Sequence, residues 1–211
     1  MSQTIAAAPA RTSRPIAPAA VLAPVLTIAA FAASGSPPAA DASGQEVAAY
    51  YAEHETGALV SSFLLTLAGA ALVWFAAQLR GHVRARGRAT SDVASVIFGA
   101  GLLIAAGFTI FAGVEAAAAG TVDDLSPESL QTLNALDNGM FFTLALGNLL
   151  MYGALAVAAL RHGAFPRPLG WAMAALAVLS LTPVFIVALA GAVVVYPLLG
   201  RLIAREPAAG A

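Results

Sequence analysis

The sequence predicts an all-α protein, a polytopic bundle of membrane-spanning helices with short helices on the outer side of the membrane. Hydrophobic residues make up 60% of its 211 residues and charged residues only 10%. A soluble domain needs about a quarter charged residues to cover its surface, so the soluble class is excluded. Apolar runs of about 18 residues or more recur, which is the length that a helix needs to cross ~30 Å of hydrocarbon. The mean hydropathy of +0.83 agrees with this class.

The charged residues alternate in sign along the chain, and this alternation predicts the orientation. All ten basic residues are arginines, in four groups at 11–14, 80–88, 161–167 and 201–205. Nine of the eleven acidic residues lie in or beside the two polar segments between the first three groups. Because cytoplasmic loops carry an excess of Lys and Arg, we expect the arginine groups inside and the acidic segments outside. The predicted location is the inner (plasma) membrane, with both termini cytoplasmic.

The N-terminal part predicts a tail and then a first helix. Residues 1–15 are polar and contain proline without an apolar period, which indicates a disordered cytoplasmic tail. The first crossing is predicted at 16–34. The arginines at 11 and 14, followed by this apolar stretch and by small residues at 32–34, also fit a cleavable signal peptide. We favour a retained helix and leave both interpretations open.

The acidic segments each predict a short helix at the outer membrane interface. Ser43 and Glu46 have the spacing of a capping box, and the tyrosines at 50–51 that follow prefer the interface. This helix can run directly into the second crossing. In the later segment, 126–128 is a Ser-Pro-Glu helix start. Leucines then recur every three residues, at 130, 133 and 136.

The remaining crossings follow from apolar length. They are predicted at 57–79, 93–114, 138–160, 169–182 and 184–203. The stretch 169–204 would be about 54 Å long as one helix, nearly twice the hydrocarbon thickness. Pro183 near its middle removes a backbone donor and disfavours a helical residue before it. Two crossings here, six in all, return the last arginines to the inner side; five crossings is the alternative. Residues 206–211 form a C-terminal tail.

Small residues predict which helix faces pack together, because they let backbones approach in a membrane. On the third crossing they recur at Ser95, Gly99, Ala106 and Gly113. On the fourth they recur at Gly139, Thr143, Gly147, Ala154 and Ala158. A comparable strip on the second crossing contains Ser62, Thr66 and Gly69 or Ala70. We therefore expect these three helices to form a close-packed core.

Few polar side chains fall inside the predicted crossings, and these are the candidate sites. Asn148 lies near the centre of the fourth crossing, and Thr66 lies at a similar depth on the second, where the two could share a hydrogen bond. Glu115 is the deepest carboxylate, and we expect it to be a solvated acid that marks the outer end of the third crossing. Candidate contacts to anionic lipid headgroups are Arg80, Arg84, Arg86 and Arg88.

Cofactor chemistry is not predicted. The chain has no cysteine, which excludes disulfides, thiolate metal sites and iron–sulfur clusters. Its three histidines, at 54, 82 and 162, lack metal-ligand spacing. The absence of lysine beside abundant Ala, Gly, Pro and Arg indicates a GC-rich bacterial genome.

Three stretches carry a resemblance to a known group. They are Tyr50-Tyr51 through Leu79-Arg80, then Leu160-Arg161, and Phe165-Pro-Arg-Pro-Leu-Gly-Trp171. Across residues 45–204 the chain resembles small uncharacterised multi-span membrane proteins of actinobacteria, in which a Leu-Pro-Arg-x-Leu-Gly-Trp-like turn opens the fifth helix. Phe165 stands here in place of that leucine. The resemblance implies six crossings and assigns no activity to any position.

Two functional classes follow from these observations. The first is a non-enzymatic membrane protein with an accessory, interaction or structural role, whose partners are the bilayer and an unidentified protein, without nucleic acid. The second is a small permease or channel with a polar constriction near Asn148. An intramembrane enzyme is not predicted, because the crossings contain no paired acid and base and no activated nucleophile.

Overall fold

The computed structural model describes residues 16–87, 90–182, 184 and 186–205, and these form an all-α bundle, as predicted. In chain order the helices are α1 (Ile16–Ser34), α2 (Gly44–Arg84), α3 (Ser91–Gly120), α4 (Pro127–Gly139), α5 (Phe141–Leu160), α6 (Arg167–Leu179) and α7 (Ile186–Arg205). Both predicted tails, Arg11, Arg14, Arg88 and Pro183 lie outside the described residues.

Four helical stretches are long and apolar enough to cross a membrane. These are Gly44–Arg84, Ser91–Gly120, Pro127–Leu160 and Ile186–Arg205. Two shorter apolar helices, α1 and α6, accompany them. The protein is therefore embedded in a membrane, and six crossings stays a prediction.

The core is built around α3, which packs against α2 on one side and α5 on the other. A Cβ atom on Gly101 of α3 would lie 2.3 Å from the Cβ of Ala76 on α2. A Cβ on Gly147 of α5 would lie 2.5 Å from Cγ1 of Ile104 on α3. The two glycines therefore allow approaches that any larger residue would prevent.

The predicted packing face of α3 was wrong, whereas that of α5 was largely right. Four small residues of α3 face outward, at 95, 99, 106 and 113. A Cβ on Gly99 or Gly113 would touch nothing within 4 Å. On α5, by contrast, Gly147, Ala154 and Ala158 are buried. Because α3 carries small residues all round, their spacing alone could not identify the side that meets a neighbour.

The two helices of the acidic segments pack against the bundle, whereas the sequence predicted only that they lie at the membrane interface. The predicted helix after Ser43 is the first part of α2, with a kink at His54 (φ −114°, ψ 17°), and the capping box of Ser43 and Glu46 is present. The helix α4 does not simply lie on the surface, because Leu130 is fully buried. Leu130 forms a second apolar cluster with Val47, Tyr51, Ala58, Ala118 and Ala119. This cluster ties α4 to the ends of α2 and α3.

The bundle has two chemically different ends. At the arginine end, α2 finishes beside the loop between α5 and α6, where His82 stacks on Phe165 with ring centroids 5.4 Å apart. At the acidic end, Phe31 of α1 and Ile186 of α7 border the same cavities. The start of α7 therefore lies at the acidic end, and its last residues, including Arg201 and Arg205, lie near the arginine end.

Candidate functional site

A cavity of about 350 Å³ lies between α1, α2, α3, α5 and α7, and we name it the Asn148 cavity. Its walls are almost wholly apolar, and the residues that form them are Ala23, Pro24, Thr27, Ile28, Phe31, Leu72, Ile104, Phe108, Asn148, Ile186, Leu189, Ala190, Ala192, Val193 and Tyr196. Ile28, Ala190 and Val193 are also exposed on the outside of the bundle. The cavity therefore opens sideways, toward lipid.

Asn148 contributes the only side-chain amide among the residues that line that cavity. Its side chain is only 2% exposed. The amide forms no hydrogen bond with any residue that the structure describes. An amide that is buried without a partner costs free energy, about 1–3 kcal/mol by mutational estimates. A ligand with one hydrogen-bonding group would reduce this cost.

The predicted pairing of Asn148 with Thr66 was wrong. Thr66 is exposed on the outside of α2, and its hydroxyl donates to the carbonyl of Ser62 at 2.9 Å. Equal depth places two residues at one level of the bundle, but the rotation of each helix decides whether they meet.

Deeper in the bundle, the hydroxyl of Tyr152 donates to the carbonyl of Ala188 at 2.9 Å and joins α5 to α7.

A second cavity, of about 190 Å³, lies at the acidic end, and we name it the acidic cavity. Its polar wall consists of Ser34, Tyr51, Glu115, Asp137 and Asn138. Its apolar wall consists of Phe31, Pro37, Phe111, Phe141 and Ile186. Six helices, all but α6, and the loop after α1 thus contribute to this small cavity, and four of them (α1 to α4) supply its polar wall.

The prediction that Glu115 is a solvated residue at a helix end was wrong. Glu115 is 4% exposed, and α3 continues past it to Gly120. Ser62 donates a hydrogen bond to its carboxylate at 3.2 Å. Ser34 and Ser61 lie beside the same carboxylate. The burial arises because α4 and the loop after α1 fold over this end of the bundle.

Asp137 is a site residue that sequence reasoning did not single out. It is 4% exposed, and its Oδ1 atom is buried without a hydrogen-bond partner in the described structure. It borders the acidic cavity together with Glu115. A sequence signal was present, because Leu130, Asn134 and Asp137 have the spacing of one helical face and are the buried residues of α4.

Phenylalanines stand between the two cavities. The rings of Phe31 and Phe111 meet edge to face with centroids 6.2 Å apart, and those of Phe111 and Phe141 are 5.8 Å apart. Phe31 and Ile186 border both spaces. Apolar side chains therefore separate the acidic cavity from the Asn148 cavity.

The candidate headgroup contacts lie at the arginine end, at or after the end of α2. The guanidinium of Arg80 lies over the ring of Phe98, 5.3 Å from its centroid. Arg84 and Arg86 are exposed, and Arg86 lies 3.5 Å from the ring nitrogen Nε2 of His82. Arg84 and Arg86 can therefore reach lipid headgroups, whereas Arg80 is held against the bundle.

Among the residues that the structure describes, no group of three or more His, Cys, Asp or Glu side chains comes together as a metal site. No protein-family model, curated protein or solved structure matches the chain. Any functional conclusion therefore depends on the two cavities themselves.

Proposed function

We propose that this membrane protein acts without catalysis, as an accessory protein that holds a lipid-derived molecule in the Asn148 cavity. The observation that carries this proposal is the buried Asn148 amide, which faces an apolar cavity and has no hydrogen-bond partner among the described residues. The molecule that fits is an acyl or isoprenoid chain with one carbonyl or hydroxyl group. Its chain would pack against the apolar walls, and its polar group would form a hydrogen bond with the Asn148 amide.

The position of the cavity supports this choice of ligand. Asn148 lies seven residues into α5, which is about 10 Å from the acidic end of that helix. The polar group of a single-chain amphiphile can reach this depth while its tail points toward the bilayer centre. The side opening past Ile28 and Val193 would let such a molecule enter from lipid without crossing the aqueous phase.

Photocrosslinking tests this proposal in liposomes. The probe is a fatty acid with a diazirine on its chain, and labelled peptides are identified by mass spectrometry. We expect labelling of α1 and α7 at the cavity, a clear decrease in Ala190→Trp, which blocks the opening, and weaker retention in Asn148→Leu. Thr66→Val is the matched control, since it changes a polar residue on the outside of the bundle. Equal labelling of all membrane-facing helices would refute the proposal.

A small permease or channel is the second candidate, and one observation favours it. The acidic cavity and the Asn148 cavity share Phe31 and Ile186, so a path could open between them if the phenylalanine barrier moved. Flux of small cations into proteoliposomes tests it. Flux that Asn148→Leu abolishes and Phe111→Ala increases would favour transport over lipid binding. The absence of flux in both the wild type and Phe111→Ala would favour the accessory role.

We also propose that the arginine end faces the cytoplasm of the cell and that an unidentified protein partner or anionic lipid binds there. The exposed arginines Arg84 and Arg86 support this orientation, since positive residues favour the cytoplasmic side. A reporter fused after Arg205 tests it, because an external reporter would contradict six crossings with the arginine end inside. The resemblance to actinobacterial multi-span proteins stays a proposal of the same kind.

A further inference from the structure

We propose that the acidic cavity binds one divalent cation of the size of calcium between Glu115 and Asp137. This inference concerns the acidic end alone, so it does not depend on lipid binding at Asn148. The two carboxylates come from different helices, α3 and α4, and meet in a cavity of about 190 Å³.

Charge balance is the first argument. Both carboxylates are at least nine-tenths buried, and neither forms an ion pair with a described basic residue. The described arginines lie on helix ends and loops at the other end of the bundle. The nearby His54 stacks on Tyr50, and its Nδ1 lies 3.1 Å from the Tyr50 carbonyl oxygen. A buried carboxylate without a partner either takes up a proton or binds a cation, so a cation that enters this cavity would offset both charges at once.

The supply of oxygen ligands is the second argument. Oδ1 of Asp137 is buried, unpartnered and part of the cavity wall. The side-chain nitrogen of Asn138 donates to the carbonyls of Asn134 (2.9 Å) and Pro38 (3.4 Å), which leaves its side-chain oxygen available to a cation. Calcium takes six to eight oxygen ligands. The carboxylates, this amide oxygen, the Ser34 hydroxyl and water can together supply them.

Access from water is the third argument. The 30 residues of α3 span about 45 Å, which exceeds the ~30 Å hydrocarbon thickness. Glu115 lies five residues from the end of α3, so it lies near the headgroup level rather than in the middle of the bilayer. Pro37, in the loop after α1, forms part of the cavity wall on this side.

Equilibrium dialysis with radioactive calcium on the full-length protein in neutral detergent, after treatment with a chelator, measures this binding. We expect one calcium ion per chain and a loss of affinity of at least tenfold in Glu115→Gln and in Asp137→Asn. Asp124→Asn is the matched control, because it removes an equal charge from an exposed acid at the same end. Calcium at 100 times its Kd should raise the Tm of the wild type by about 5–10 °C.

Terbium luminescence locates the ion without removing a ligand. Terbium replaces calcium and is excited by a nearby aromatic ring, so the wild type should show strong emission that calcium abolishes by competition. Tyr51→Phe should decrease this emission while the calcium affinity stays within twofold. The absence of saturable binding to the wild type overturns the proposal, as does equal loss in Asp124→Asn. A higher Tm in both carboxylate variants with no calcium effect would show that the pair holds a proton instead.

Discussion

The approach of α2 and α3 at Gly101 makes the sharpest stability prediction. Replacing Gly101 by alanine places its Cβ 2.3 Å from the Cβ of Ala76. Carbon atoms in contact prefer about 3.5–4.0 Å, so the two helices must separate by roughly 1 Å. An alanine Cβ cannot rotate away, because its position is set by the backbone. Overpacking of this kind costs about 1–3 kcal/mol.

Gly99 is the matched control, two residues away on the same helix. A Cβ there touches nothing within 4 Å. Gly99→Ala should therefore be neutral or stabilise the fold by up to about 1 kcal/mol through the higher helix propensity of alanine. Since 1 kcal/mol corresponds to about 2–4 °C for a protein of this size, Gly101→Ala should melt about 2–12 °C below the wild type.

Heating the detergent-solubilised protein, followed by size-exclusion chromatography of what remains folded, measures the two midpoints. The small-residue spacing predicts the opposite order, since it places Gly99 at the interface. A midpoint for Gly101→Ala equal to or above that of Gly99→Ala would refute the packing described for α2 and α3.

Three further predictions concern other contacts. Tyr152→Phe removes the hydroxyl that donates to Ala188, and we expect a loss of about 0.5–1.5 kcal/mol in the free energy of unfolding, measured by titration with a denaturing detergent; an unchanged midpoint would contradict that role. Ser43→Ala removes the N-cap partner of Glu46 and should cost about 0.5–2 kcal/mol, visible as faster amide exchange confined to the first turns of α2. Arg84→Gln should decrease the amount of added anionic phospholipid that the detergent-solubilised protein retains, while retention of neutral phospholipid stays the same; equal retention of both by the wild type would exclude a headgroup role.

Sequence reasoning succeeded where a property depends on the type of residue and not on its neighbours. Apolar length predicted helices in the membrane, and the Ser43–Glu46 spacing predicted a cap that the structure contains. The stop near Thr182 was predicted from proline chemistry, and α6 ends at Leu179. These are local properties of the backbone, so a few residues suffice to specify them.

The candidate sites show why the rest could not be predicted. Asn148 was identified because a polar side chain among apolar residues is conspicuous. Its proposed partner Thr66 was wrong, because the rotation of α2 turns that hydroxyl outward. The position of Glu115 after an apolar run predicts a solvated acid, but Glu115 is buried because α4 folds back onto the bundle, which is a tertiary event.

The sequence by itself determined that this protein is a helical membrane protein, since 60% of its residues are hydrophobic and lie in runs long enough to span the hydrocarbon of a bilayer as helices. It also determined that nine of the eleven acids lie apart from the arginines, because charge must stay at the ends of the helices. Only the tertiary structure decided which faces meet, and therefore that Glu115 and Asp137 share one cavity and that Asn148 borders another. The physical reason is that lipid makes every apolar helix face equally acceptable, so packing against specific neighbours, and not hydrophobicity, sets the rotation of each helix.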